Sequence, residues 1–102
     1  MNNASKFGLD NMDLENILKI IKSCQKVDSA ILFGSRAKGT FSNGSGIDIA
    51  LKGENIVLND VLDLLNELDD LLLPYKFDLV IFDRIEEVEL KEHINRVGIS
   101  LT

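Results

Sequence analysis

The chain of 102 residues has room for one domain of the usual 100 to 200 residues, and no second folded unit fits beside it. Its composition is 45% hydrophobic and 27% charged, which suits a packed globular core and excludes a disordered or low-complexity chain. Seventeen acidic against eleven basic residues leave a net charge of −6, so the surface as a whole repels polyanions and nonspecific nucleic-acid binding is not expected. The single Cys24 cannot form an internal disulfide. No stretch resembles a signal peptide or reaches the roughly 18 apolar residues of a membrane span, so the expected location is cytoplasmic, away from membranes.

In chain order, residues 1–9 carry no apolar period and read as a flexible leader to a domain over 10–98. From 10 to 25, Leu14, Ile17, Leu18, Ile21 and Cys24 recur at helical spacing, and Asp10 or Asn11 is placed to cap the helix. Residues 28–34 (DSAILFG) form a short apolar run closed by glycine, a buried strand. The connection that follows, GSRAKGTFSNGSG, is dense in Gly and Ser between two hydrophobic runs, where function is expected. Residues 47–51 (IDIAL) are a second strand. Val61, Leu64, Leu65, Leu68, Leu71 and Leu72 mark a second amphipathic helix over 60–72, whose acidic residues are most simply a solvated face. Pro74 ends it, 77–82 (FDLVIF) is a third strand, and a last helix runs from about 85 to 97, with Gly98 as C-cap and 99–102 as a tail. The order implies an α/β (α+β) domain, a small sheet with helices against it.

Asp48 and Asp78 intrude into apolar strands, where a carboxylate needs a partner or a metal to offset its desolvation. A helix joins the second and third strands, so a right-handed crossover sets them parallel and brings both aspartates to one edge of the sheet. If the first strand runs antiparallel to the second, Gly34 and Ser35 lie at that edge too. Alternation gives Asp48 and Ala50 one face and Ile47, Ile49 and Leu51 the core face. Glycine allows close backbone approach to a phosphate, and Ser35 adds a hydroxyl donor. Arg36 and Lys38 are further candidates for neutralising phosphate, against the alternatives of solvated helix residues or partners for Asp48. His93 stands in a charged helical stretch without metal-ligand spacing and reads as a surface residue.

The stretch GSRAKGTFSNGSGIDIAL resembles the signature of polymerase-beta-type nucleotidyltransferases, with Gly-Ser followed some ten residues later by an Asp-x-Asp pair and a third Asp on a later strand. Gly34, Ser35, Asp48 and Asp78 match. The short chain most resembles the minimal nucleotidyltransferases (MNT) that pair with all-helical HEPN proteins in toxin–antitoxin modules. That resemblance implies a mixed three-stranded sheet and transfer of a nucleoside monophosphate, commonly AMP from ATP or another NTP, to a hydroxyl. It implies Asp48 and Asp78 as catalytic residues and ligands of Mg²⁺ or Mn²⁺, and Gly34, Ser35, Arg36 and Lys38 as nucleotide-binding residues. It also implies a nucleoside triphosphate and a small helical HEPN-type protein, or a second copy, as partners. One position departs from the pattern S-D-x-D: in Ser45-Gly46-Ile47-Asp48, Gly46 stands where the first metal carboxylate is expected. Two readings follow, a weakened enzyme or a catalytically impaired subunit that acts by protein–protein binding. An unrelated α/β ligand-binding module is a third.

Overall fold

The computed structural model describes residues 7–42 and 44–101. Helix α1 (Asn11–Ser23) is followed by strand β1 (Ser29–Phe33), a one-turn helix α2 (Ser35–Lys38) and strand β2 (Ile47–Lys52). Helix α3 (Leu58–Asp69), strand β3 (Phe77–Ile81), a 3₁₀ turn (Phe82–Arg84), helix α4 (Val88–Val97) and a short strand β4 (Ile99–Ser100) complete it. The sheet has four strands in the order β3-β2-β1-β4. As the topology argument requires, β2 and β3 are parallel and β1 is antiparallel to β2.

The fourth strand is the difference from the expected three. Within the expected tail over 99–102, Ile99 and Ser100 pair antiparallel with Leu32 and Ile31. Gly98 makes this possible by close approach rather than by a left-handed cap. Its backbone is extended, and a Cβ there would collide with the Ile94 carbonyl and the Ile31 side chain. The final helix begins at Val88 and not at 85, because the 3₁₀ turn uses the residues before it.

The two faces of the sheet are buried against different elements. Ile47, Ile49, Leu51, Leu32 and Leu79 face α1 and α3, where Ile17, Ile21, Leu64 and Leu68 are wholly buried or nearly so. Each such side chain is worth about 1.5 to 3 kcal/mol of apolar transfer. On the other face Phe33, Ala50 and Ile94 form a smaller cluster under α4. Asp10 caps α1 by accepting from the Met12 N–H at 2.9 Å. Asp60 acts differently. Its carboxylate reaches back to the Val57 N–H at 2.9 Å and pairs with Lys26 at 3.0 Å, so α3 starts two residues before the position expected from the apolar stripe. Both contacts hold the Asp60 carboxyl below its ordinary range, the Val57 N–H foremost.

Phe7 and Leu9 are buried in the main core, so the expected leader does not extend through them; residues 1–6 lie outside the described part. Two isolated apolar residues around Gly8 have no period to announce them. They are held by Arg36, the one charged side chain that is fully buried among the described residues, at 2% exposure. Its guanidinium donates to the carbonyls of Phe7 at 2.6 Å, Ser45 at 2.8 Å and Gly46 at 3.2 Å. It lies 4.9 Å from the centre of the Tyr75 ring and 5.4 Å from that of Phe41. Removing it strands three carbonyls, so Arg36→Met is expected to lose about 3 kcal/mol of unfolding free energy, and Arg36→Lys most of that because an ammonium lacks the planar fork. Urea denaturation of the variants and the parent measures both.

Candidate active site

Register across the sheet assembles the site. Phe33 pairs with Asp48, and Asp48 with Asp78, so the three form one row across β1, β2 and β3 at the end of the sheet where β1 finishes and the others start. Residues directly opposite across strands share a face, and this row lies on the α4 side, away from the main core. The next row inward, Ile31, Ala50 and Val80, is apolar and covered. The two carboxylates therefore stand side by side at the boundary between packed sheet and solvent, Asp48 half-buried and Asp78 exposed.

Gly34 closes the row from above. It adopts φ 78° and ψ −156°, a region L side chains rarely enter, and a Cβ would run into the Asp48 carboxylate. The structure thus brings Gly34, Asp48 and Asp78 together as the strand argument expected. Ser35 follows as the first residue of α2, half-buried, with its carbonyl accepting from Thr40 N–H at 3.0 Å. Lys38 is exposed in the same turn. Arg36 is placed elsewhere: its guanidinium is committed to the carbonyls of residues 7, 45 and 46, and the turn reads it as a structural clamp rather than a phosphate ligand.

Burial raises the Asp48 carboxyl above its ordinary range, and the neighbouring charge of Asp78 pushes in the same direction. His93 lies beside the pair, its Nε2 accepting a hydrogen bond from the Gly34 N–H at 3.2 Å, and its electrostatic influence on Asp48 opposes the other two and is the smallest of the three. His93 is the site residue that sequence reasoning missed. It reaches the turn from α4, 59 residues away, and its ring meets Phe33 edge-on at 6.2 Å. Leu90 three residues before it and Val97 four after put it on an apolar face of the helix, a signal that the charged neighbours Lys91, Glu92 and Arg96 outweigh.

A cleft of about 420 Å³ lies before the carboxylates, lined by Gly44, Gly46, Asp48, Lys76, Phe77 and Asp78. Two adjacent carboxylates with one raised by the other's charge are a donor set for one hard dication, which takes oxygen ligands and completes its shell with water and phosphate oxygens. Gly46 contributes no ligand, and among the described residues no group of three His, Cys, Asp or Glu is placed to hold a metal ion. The residues fit a single ion shared with a substrate.

The sequence matches the family described as polymerase beta, nucleotidyltransferase, over residues 15–102. Among solved structures, one described as a toxin–antitoxin with AMP-PNP aligns with a TM-score of 0.74 at 25% identity, covering 87% of this chain and 72% of that one. The Y104A mutant of a MntA-HpeT toxin–antitoxin aligns at 0.70 and 27% identity, over 86% of this chain and 70% of that one. A tri-AMPylated Shewanella oneidensis HEPN toxin in complex with MNT antitoxin aligns at 0.70 over 92% of this chain and 72% of that one, and at 21% identity it bears on fold alone. No curated protein matches the sequence. With the family match spanning residues 15–102, most of its length, the chain belongs to the polymerase beta nucleotidyltransferase family.

Proposed function

We propose that this protein transfers a nucleoside monophosphate, AMP from ATP, to a hydroxyl of a helical HEPN-type partner, as the antitoxin of a toxin–antitoxin pair. The observation that carries the reading is the register pairing of Asp48 with Asp78 beneath Gly34, which sets two oxygen ligands against a turn open to phosphate. AMP-PNP in one similar toxin–antitoxin structure supports the nucleotide.

In this reading Gly34 lets the triphosphate approach the backbone, and the Ser35 N–H and hydroxyl donate to its oxygens. Asp48 and Asp78 hold Mg²⁺ or Mn²⁺. The ion, when bound, neutralises phosphate charge and lowers the pKa of a coordinated hydroxyl. Asp78, the more exposed of the two, faces the acceptor and takes the hydroxyl proton. The acceptor oxygen forms a bond to the α-phosphorus while the bond from that phosphorus to the bridging oxygen breaks, and pyrophosphate leaves. Lys38, exposed beside the turn, supplies positive charge to the outer phosphates. The proposed place of action is the cytoplasm; among the described residues no helix is long and apolar enough to cross a membrane.

A second reading is favoured by Gly46: a subunit with the fold and the nucleotide site but little turnover, acting by binding its partner. The two separate in one assay, the Mg²⁺-dependent incorporation of labelled AMP into the partner. Under the first reading Asp48→Asn and Asp78→Asn each lower incorporation by at least ~100-fold, since a first-shell ligand is worth more than the outer-shell partners whose loss costs about 10 to 100-fold. Equal incorporation by parent and both variants sinks it.

Gly46→Asp tests the departure. The added Cβ sits 3.1 Å from the Lys76 carbonyl, so the strand start must give by a few tenths of an ångström, and a third carboxylate repels Asp48 and Asp78. The variant is expected to melt lower than the parent without metal, to gain more than the parent from Mg²⁺ with AMP-PNP, and to raise transfer by about tenfold or more. Thermal unfolding with and without the two ligands, run beside the transfer assay, reads all three.

A further inference from the structure

We propose that His93 is a positioning residue for the nucleotide site: its Nε2 holds the Gly34 N–H and thereby sets the turn that faces the phosphates and keeps that N–H from the Asp48 carboxylate. The inference rests on the nucleotidyl-transfer reading and adds a residue to its machinery. Three contacts fix Gly34. Its carbonyl accepts from Lys38 N–H at 3.1 Å as the first bond of α2, its α-carbon is packed against the Asp48 carboxylate, and its N–H goes to His93 at 3.2 Å. The first two are made by residues of the turn and of β2. Only the third comes from α4, and it orients the peptide plane between Phe33 and Gly34.

The alternative fate of that N–H gives the bond its importance. Gly34 is half-buried, and a donor there costs free energy unless it finds an acceptor. The acceptor lying against the same residue is Asp48. Without the imidazole, rotation of the peptide plane toward the carboxylate satisfies the donor, but it diverts an oxygen that the dication needs and turns the backbone away from the phosphate. His93 is suited to prevent this. Its ring is pinned edge-on against Phe33, which sits in the same row as Asp48, and neighbouring Ile94 is 1% exposed, so the helix cannot easily shift the ring. Accepting at Nε2 puts the ring proton on Nδ1.

The test compares an acceptor-free ring with a ringless acceptor. His93→Phe keeps the edge contact to Phe33 and removes the acceptor, whereas His93→Gln places an amide oxygen near the position of Nε2. Should Phe overfill the space and prevent folding, His93→Leu removes the same acceptor with less volume. Two measurements are made on each: Mg²⁺-dependent transfer from ATP, and the ¹H–¹⁵N resonance of Gly34 in the ligand-free protein. Transfer is expected to fall about tenfold in His93→Phe, in the range of outer-shell losses, and to return to within about threefold of the parent in His93→Gln. The Gly34 amide resonance is expected to move in the Phe variant, where its acceptor changes from imidazole to carboxylate, and to stay near the parent position in the Gln variant. A Phe variant with the parent's Gly34 shift, or a Gln variant no better than Phe in transfer, overturns the proposal. A parent that transfers nothing and binds no AMP-PNP overturns the nucleotidyl-transfer reading instead, and the Gly34 shifts then still decide whether His93 sets the turn.

Discussion

The burial of Arg36 is the constraint on which the glycine-rich connection depends. A guanidinium removed from water needs its N–H groups answered, and here carbonyls of residues 7, 45 and 46 answer them while two aromatic rings cover its faces. Those three carbonyls belong to segments with no regular structure of their own. The connection between β1 and β2 has few apolar side chains to pack, so its path is set by polar contacts, and one cation supplies three of them. The segment before α1, the loop before β2 and the lead into β3 at Tyr75 meet at this point. Because Gly46 offers its carbonyl to Arg36 and its α-carbon lies close to Lys76, the start of β2 is held in place before Asp48 is reached.

From there the geometry follows from strand pairing. Parallel β2 and β3 in register put Asp48 beside Asp78 whatever else surrounds them, and the antiparallel β1 brings Phe33 and then Gly34 to the same row. The two carboxylates oppose each other in the absence of a cation, and burial adds to that cost at Asp48. In the proposed function a bound cation balances the charge of this pair. The glycine at 46 leaves the pair without the further carboxylate that the resemblance to the S-D-x-D pattern implies, and in the proposed function this makes the substrate's phosphates a larger share of the ion's shell.

Much of this was readable before the fold was seen, for reasons that can be named. The helices announce themselves through apolar residues at a period near 3.6, and β2 through alternation that separates Asp48 and Ala50 from Ile47, Ile49 and Leu51. The direction of the strands follows from the length of their connections, and with it the meeting of Gly34, Asp48 and Asp78. What escaped has no local periodicity. Phe7 and Leu9 are two apolar residues about one glycine, and β4 is two residues long. Arg36 beside a Gly-Ser turn suggests phosphate by its charge, and only tertiary packing commits that charge inward. His93 lies on a helix whose rotation against the sheet decides between solvent and Gly34, and an error of about two residues, half a turn, reverses the answer.

Strand β4 bears on the order in which the sheet is completed. Its residues pair with Ile31 and Leu32, and Leu101 N–H reaches the Ala30 carbonyl at 2.8 Å, so this edge of β1 is closed by a part of the chain synthesised well after it. Until then β1 presents an apolar strand with an unpaired edge, the kind of template on which nascent chains join one another. Local contacts form α1 and the hairpin-like pair of β1 and β2 early, while this last pairing carries the greatest sequence separation in the sheet and the slowest loop closure. The protein therefore emerges with its glycine turn already framed and its opposite flank still adhesive, and the final two-residue strand serves as the seal that ends the period of vulnerability.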